Sequence, residues 1–336
     1  MDAKVDELFD KLDKSNARYS EREAVSTVSA FLNENPDIDI NAENKYGIRL
    51  LEYAIISRYE ELCKLLVEHG ADVNLRLKGW SGNTTPLQFA YRERLYKAVE
   101  LFIEHGADVN TCDSFMGNTA IMDAVERNDL SFCDKLLKAG ADVYKANAFC
   151  DNALTLAVER NSHKMLSLLK SHGADFNARS VRRSDDTGEE VWTYPLLELN
   201  YSPKVVKYSS KTLRKLIDWG VDVSCADSKG NTPLMLASEH GNYRLCEMLL
   251  HAGARIGEKP NDFLEKWRLL DKGVAGRLLK CVSDTVLHEW RITPERPDFK
   301  ATVERMFIRL YTVVGSCTDR EAQRVFALVF DKADDK

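Results

Sequence analysis

Apolar residues recur at helical spacing along most of this chain, in short runs cut at regular intervals by a glycine and a polar turn. Leu62, Leu65 and Leu66 lie on one helical face and run into LLVEHGADVN at 65–74. The phrase returns as LFIEHGADVN at 101–110. Worn copies read KLLKAGADVY (135–144), SLLKSHGADFN (167–177), KLIDWGVDVS (215–224) and MLLHAGARI (248–256). Each predicts the end of a helix, because glycine alone enters the left-handed conformation there without a Cβ clash. A second helix is predicted upstream of several copies. GNTTPLQFA (82–90) and GNTPLMLA (230–237) place a threonine to cap a helix and a proline in its first turn, where no N–H is needed. GNTAIMDA (117–124) and DNALTLA (151–157) are weaker versions. Before the repeats, 3–13 and 21–34 read as two further helices.

The returning glycines are Gly70, Gly106, Gly140, Gly173, Gly220 and Gly253, in steps of 36, 34, 33, 47 and 33. A unit near 33 residues that contains a turn and two helices cannot bury its own apolar face and must stack on its neighbours. In length and in its threonine–proline helix start, the pattern resembles the ankyrin-repeat family. The resemblance implies an all-α solenoid of helix–turn–helix units with short β-hairpin fingers. On this reading 1–41 is a diverged capping repeat. Repeats then run 42–74, 75–110, 111–144, 145–177, 178–224 and 225–256, and a helical module fills 257–336. The sequence departs from the family at two places. The histidine of the TPLH helix start is Gln88 or Met235 here, which leaves its hydrogen bonds unassigned. Glycine between the two helices survives only as Gly241, with Asn128 and Asn161 standing in.

The 47-residue step carries an insertion. ARSVRRSDDTGEEVWTYPLL (178–197) sets three arginines against four acids, followed by Trp192, and Pro195 opens a helix. NYSPKVVKYSSKT (200–212) reads as a polar, lysine-bearing connection before the second helix. Two readings stay open for the insertion: a solvated loop, tolerated at small entropic cost, or an enlarged finger that touches a partner. Beyond Ile256 the repeat phrase stops, and 261–272, 274–290, 298–313 and 319–331 read as helices around the linker ITPERPDF.

A net charge of -6, with lysine and arginine spread along the chain, argues against nucleic-acid binding. The apolar runs are too short for a membrane span, and the acidic, amphipathic start does not read as a secretion signal. Eight cysteines lie singly, without metal-ligand spacing, so the expectation is reduced thiols, no metal and no cofactor in a cytoplasmic protein. Catalysis would need a positioned base, nucleophile or metal. His69, His105, His172 and His251 sit in helix ends just before the repeat glycines, where a structural role accounts for them. Cys281 and His288 share a helix face, but on an apolar stripe. The expectation is therefore no catalytic residue. The alternative is an enzyme whose C-terminal module acts while the repeats recruit substrate.

Binding signals are stronger. Trp80, Phe115 and Phe149 each lie three residues before an asparagine that precedes a first helix, and Tyr46 occupies nearly the same place. On projecting turns such rings give large, rigid contact area at low entropic cost. Folding back over their own hairpins is the competing arrangement. A second row, Arg92, Glu126, Arg127, Glu159 and Arg160, follows the alanine of each first helix. By resemblance this row turns toward the concave face, where charge would select partners; an ordinary solvated helix face is the competing reading. With Trp192 these residues form the candidate partner surface. Asn74 and Asn177 also occupy the position that a cytosolic asparagine hydroxylase modifies in many ankyrin proteins. The reading is a non-catalytic scaffold or adaptor that holds a protein partner of unnamed identity, in the manner of a microbial or viral effector. It expects no nucleic acid, membrane insertion or small-molecule substrate.

Overall fold

The computed structural model describes residues 3–13, 20–77, 83–183, 188–200, 206–239 and 242–254. The expected helices at 261–331, with Cys281 and His288, lie outside them. Within them the chain forms two compact units, 1–153 with 167–174, and 154–166 with 175 onward.

In the first unit, α1 (Ala3–Asp13) and α2 (Glu21–Glu34) match the two helices read from the sequence. α2 opens on a reciprocal cap: Ser20 Oγ accepts the Glu23 N–H, and the Glu23 carboxylate accepts the Ser20 N–H at 2.9 Å. Three helix pairs follow, each a seven-residue helix and then a nine-residue one: α3 (Leu50–Ile56) and α4 (Glu60–Glu68), α5 (Pro86–Arg92) and α6 (Tyr96–Glu104), α7 (Ala120–Glu126) and α8 (Leu130–Lys138). Helices this short are marginal alone, so packing must hold them. Leu50, Ile55, Leu62, Leu66, Leu87, Phe102, Ile121 and Leu136 are all at most 1% exposed. Each buried side chain of this size is worth about 1.5–3 kcal/mol. Tyr91 joins this core, stacked on Phe132 at 4.0 Å between ring centres.

α9 (Ala153–Glu159) and α10 (His163–Ser171) carry the division between the units. In the second unit the insertion forms an antiparallel hairpin of β1 (Ser180–Arg183) and β2 (Glu190–Thr193), followed by a 3-10 helix over Pro195–Asn200. α11 (Val206–Asp218) then begins well before the expected second helix, so the polar 200–212 stretch is partly helical. The reason is its own periodicity: Ser210, Leu213 and Leu216 are buried on one face, and buried Thr212 bonds Asn161 through its hydroxyl. α12 (Pro233–Glu239) and α13 (Tyr243–His251) complete the unit.

The repeated turn works as a clamp. The side-chain amide of Asn74 donates to the Gly106 carbonyl at 3.1 Å, and its oxygen accepts the Asp108 N–H at 2.7 Å. Asn110 does the same to Gly140 and Asp142 at 3.1 and 2.7 Å, and Asn41 grips Gly70 and Asp72 at 3.5 and 2.9 Å. In the second unit Asn177 clamps Gly220 and Asp222 at 3.1 and 2.7 Å. Each asparagine thus ties its own turn to the next glycine turn along the chain. The turn between paired helices is left-handed at Asn128 and Asn161, as expected, and also at Arg58 and Arg94 (φ 62° and 63°), which sequence reading missed. Among the described residues, no helix is long and apolar enough to cross a membrane.

Candidate functional site

In the first unit, each described finger is built around a buried Asn or Asp two residues before its ring. Asn44 Oδ1 accepts the N–H groups of Tyr46 and Ile48, both at 2.9 Å. Asn147 Oδ1 accepts those of Phe149 and Asp151, also both at 2.9 Å. Asp113 Oδ1 collects four, from Phe115, Met116, Gly117 and Asn118, at 2.9–3.2 Å. A side-chain oxygen in this position takes the place of a backbone acceptor and fixes the turn. A backbone bond from the acceptor residue closes each finger, Asn44 N–H to Ile48, Asp113 to Asn118 and Asn147 to Asp151, at 2.8–3.0 Å, and Gly47 and Cys150 donate back to Asn44 and Asn147. These three fingers are short hairpin turns without a strand ladder. Beyond β1 and β2, the described strand pairing is a single bridge between Leu77 and Thr84. The buried Asn or Asp was legible as turn chemistry but escaped the sequence reading, which used only the asparagine that follows the ring.

Neighbouring fingers are fastened together. The Ala148 N–H donates to the Met116 carbonyl at 2.8 Å, and Asn147 Nδ2 donates to Asn118 Oδ1 at 2.8 Å. Gly117 lies between them in the left-handed conformation (φ 74°), where an added Cβ would sit 3.4 Å from the Ala148 nitrogen. Gln88, in the place of the expected histidine, supplies the missing bonds. Its Oε1 accepts from Thr84 and Thr85, and its Nε2 donates to the Asn118 carbonyl at 2.7 Å.

On this frame the rings face outward. Phe115 is 82% exposed, Tyr46 72% and Phe149 67%, with Met116 beside Phe115 partly exposed. The competing arrangement, with rings folded beneath their hairpins, does not hold at these three positions. Trp80 lies outside the described residues. Trp192 is not a fingertip: it sits half-buried on β2 in the second unit. Its Nε1–H donates to the Ala226 carbonyl at 3.2 Å, the Arg179 guanidinium lies 5.4 Å from its ring centre, and its own carbonyl accepts the Ser228 N–H. Trp192 therefore pins the hairpin to the next turn. In that turn the half-buried Asp227 is the acceptor, and the position two residues after it holds Lys229 rather than a ring.

The charged row divides. Arg92 is not free as the sequence suggested. Its Nη2 donates to Asp113 Oδ2 at 2.6 Å, while Nε and Nη2 donate to the two oxygens of Asp123 at 3.0 and 3.2 Å. Both carboxylates are buried. Burial pushes Asp123 up to about 6 despite Arg92, whereas the donors around Asp113 outweigh its burial and hold it below the usual range. Glu126, Arg127, Glu159 and Arg160 are exposed. Arg127 lies over the Tyr91 ring at 5.0 Å.

Burial raises the Cys63, Cys133, Cys225 and Cys246 thiols to about 12, the wrong direction for a nucleophile. His69 and His105 donate Nδ1–H to Leu65 and Leu101 carbonyls at 2.8 Å, and His172 pairs with Asp134. A groove of about 300 Å³ between α6 and α8 holds Tyr96, Phe132 and Lys135, but Lys135 is paired with Glu100 and Asp129 caps α8. Among the described residues no group of acidic, histidine or cysteine side chains is placed to hold a metal. Asn74 and Asn177 spend both ends of their side-chain amides on the clamp.

Comparison with known proteins agrees with this architecture. The family model for ankyrin repeats in three copies matches 77–147, and that for a single ankyrin repeat matches 47–78 and 229–261. The phosphocholine transferase AnkX of Legionella pneumophila is 27% identical over 252 residues, 72% of this chain and 26% of AnkX. Human ankyrin repeat and SOCS box protein 6 is 31% identical over 156 residues, 43% of this chain and 33% of that protein. The chain thus spans about a quarter to a third of these curated relatives. An ankyrin repeat domain from Acinetobacter baumannii AYE, solved by crystallography, superposes with a TM-score of 0.51 at 25% identity, covering 61% of this chain and 98% of that one. Paired short helices, glycine turns clamped by asparagine, family-model matches on both sides of the insertion and a matching solved fold together establish that this chain carries ankyrin repeats, over 47–147 and 229–261, the kind of repeat that implies binding of another protein.

Proposed function

We propose that the chain is a non-catalytic adaptor that grips a protein partner through the rings of its fingers, Tyr46, Phe115 and Phe149, with Trp80 completing the row. The observation that carries this is the exposure of three large rings on turns already fixed by buried Asn or Asp acceptors. Exposed aromatic side chains have a desolvation gain waiting for a partner, and rigid turns reduce the entropy lost on binding. Glu126, Arg127, Glu159 and Arg160 would set partner choice by charge. The likeness to a Legionella protein supports a microbial or viral effector directed at host proteins. Such a protein would work inside a cell.

The experiment is capture from the native cell with the full chain as bait and a Phe115→Ala/Phe149→Ala/Trp80→Ala variant as control. The partner should be lost from the variant while its helical signal and unfolding midpoint stay. Retention of the partner by a folded variant would overturn the reading. One observation favours a second reading: AnkX is by name a transferase. An enzyme would instead keep partial function in the ring variant and lose it on Cys281→Ala or His288→Ala.

A further inference from the structure

The Phe115 finger differs from the other two fingers of the first unit that carry exposed rings. Theirs hang on neutral asparagines, Asn44 and Asn147. Here the acceptor is Asp113, ionised and only 6% exposed, holding four finger N–H groups through one oxygen. Its other oxygen is held by Arg92, a residue 21 positions earlier at the end of α5. Arg92 is in turn oriented by both oxygens of Asp123 on α7. A buried carboxylate keeps its charge only when it is paired and hydrogen-bonded. The guanidinium fork is the group that can bond two carboxylates at fixed angles, which a lysine cannot reproduce.

We infer that Arg92 is a positioning residue for the Phe115 ring: it acts on partner binding through Asp113 and the finger backbone, with no contact of its own to the partner. This rests on the reading of Phe115 as a partner contact, and it accounts for an arginine in the charged row that is turned inward. Removal of Arg92 leaves Asp113 buried without its cation. The carboxylate then takes up a proton or water, and the four N–H bonds to its other oxygen weaken together.

Hydrogen exchange of the full chain tests this without any partner, which separates its failure from failure of the adaptor reading. In Arg92→Gln, the amides of Phe115, Met116, Gly117 and Asn118 should exchange at least tenfold faster. Those of Tyr46 and Ile48, on Asn44, should keep their rates. Asp113→Asn keeps the Oδ1 acceptor but removes the ion pair and sets a side-chain N–H₂ against the Arg92 guanidinium, so it should reproduce the effect even though asparagines hold the neighbouring fingers. Arg92→Lys should restore protection in part, and it serves as the working variant if the glutamine form fails to fold. The inference is overturned if the 115–118 amides are unchanged in both variants. It is equally overturned if Tyr46 and Ile48 lose protection in proportion, which would mark a general loss of stability.

Discussion

Gln88 Nε2 donates to the Asn118 carbonyl at 2.7 Å, joining the first helix of one repeat to the finger of the next with both groups buried. The same side chain accepts from the hydroxyls of Thr84 and Thr85. Gln88→Ala would delete three buried side-chain hydrogen bonds and take the acceptor from the Thr84 and Thr85 hydroxyls, while the Asn118 carbonyl keeps the Asp113 N–H, at about 1–3 kcal/mol of stability. Gln88→His should lose less, because an imidazole offers one donor and one acceptor. Urea unfolding midpoints check both. Equal losses would show that the histidine position here is filled by volume alone.

The asparagine clamp gives a graded expectation. Asn74→Ala and Asn110→Ala each delete two hydrogen bonds at an exposed turn, for about 1–2 kcal/mol apiece. The double variant should depart from the sum, since both side chains act on the 106–110 turn: Asn74 grips Gly106 and Asp108, and Asp108 accepts the Asn110 N–H. Thermal unfolding of the single and double variants reads this out. A clamp that contributes nothing would leave all midpoints within error.

Asp123 makes the first unit sensitive to pH. Its folded pKa, about 6, lies above the ordinary carboxylate value of 3.8 because burial outweighs the attraction of Arg92. A raised carboxyl favours folding while protonated, so this contribution is present at low pH and is lost as pH rises through about 6. Asp123→Asn removes the ionisation. The variant should gain on the wild type between pH 4.5 and 7.5 by about 1–3 kcal/mol, at 1.36 kcal/mol per pKa unit. Chemical denaturation at the two pH values measures the gap. A gap that is constant, or that moves the other way, would contradict the assignment.

Arg94 holds a left-handed backbone, φ 63°, with an exposed side chain. A non-glycine residue pays about 1 kcal/mol or more there, against about 0.5–1 kcal/mol of extra unfolded-state freedom for glycine. Arg94→Gly should therefore be neutral to about 1 kcal/mol stabilising, and Arg94→Ala should gain nothing. Arg58→Gly should do worse than Arg94→Gly, because the Arg58 guanidinium donates to the Glu93 carbonyl at 2.7 Å. Parallel melts of the three variants settle the order.

Much of the architecture was legible from local chemistry. Helix ends at Gly70, Gly106 and Gly140, the threonine–proline start of α5 and the cap-bounded α2 depend on contacts within a few residues, so periodicity and capping located them. The positions of Tyr46, Phe115 and Phe149 on turns followed from the same grammar. The missed features share one property, which is sequence distance. Arg92 meets Asp113 and Asp123 across 21 and 31 residues, Trp192 reaches Ala226 across 34, and Gln88 reaches Asn118 across 30. No periodicity encodes which polar atoms face each other once neighbouring repeats pack.

The sequence by itself determined the repeat, its helix pairs and the rings on its turns, because each depends on backbone preference and on apolar spacing within one unit. Only the tertiary structure decided which charged side chains remain available. The packing of successive repeats within the first unit buries Asp113 and Asp123, and a buried carboxylate must find its cation wherever the fold brings one. That requirement turned Arg92 inward and left Phe115 pointing out.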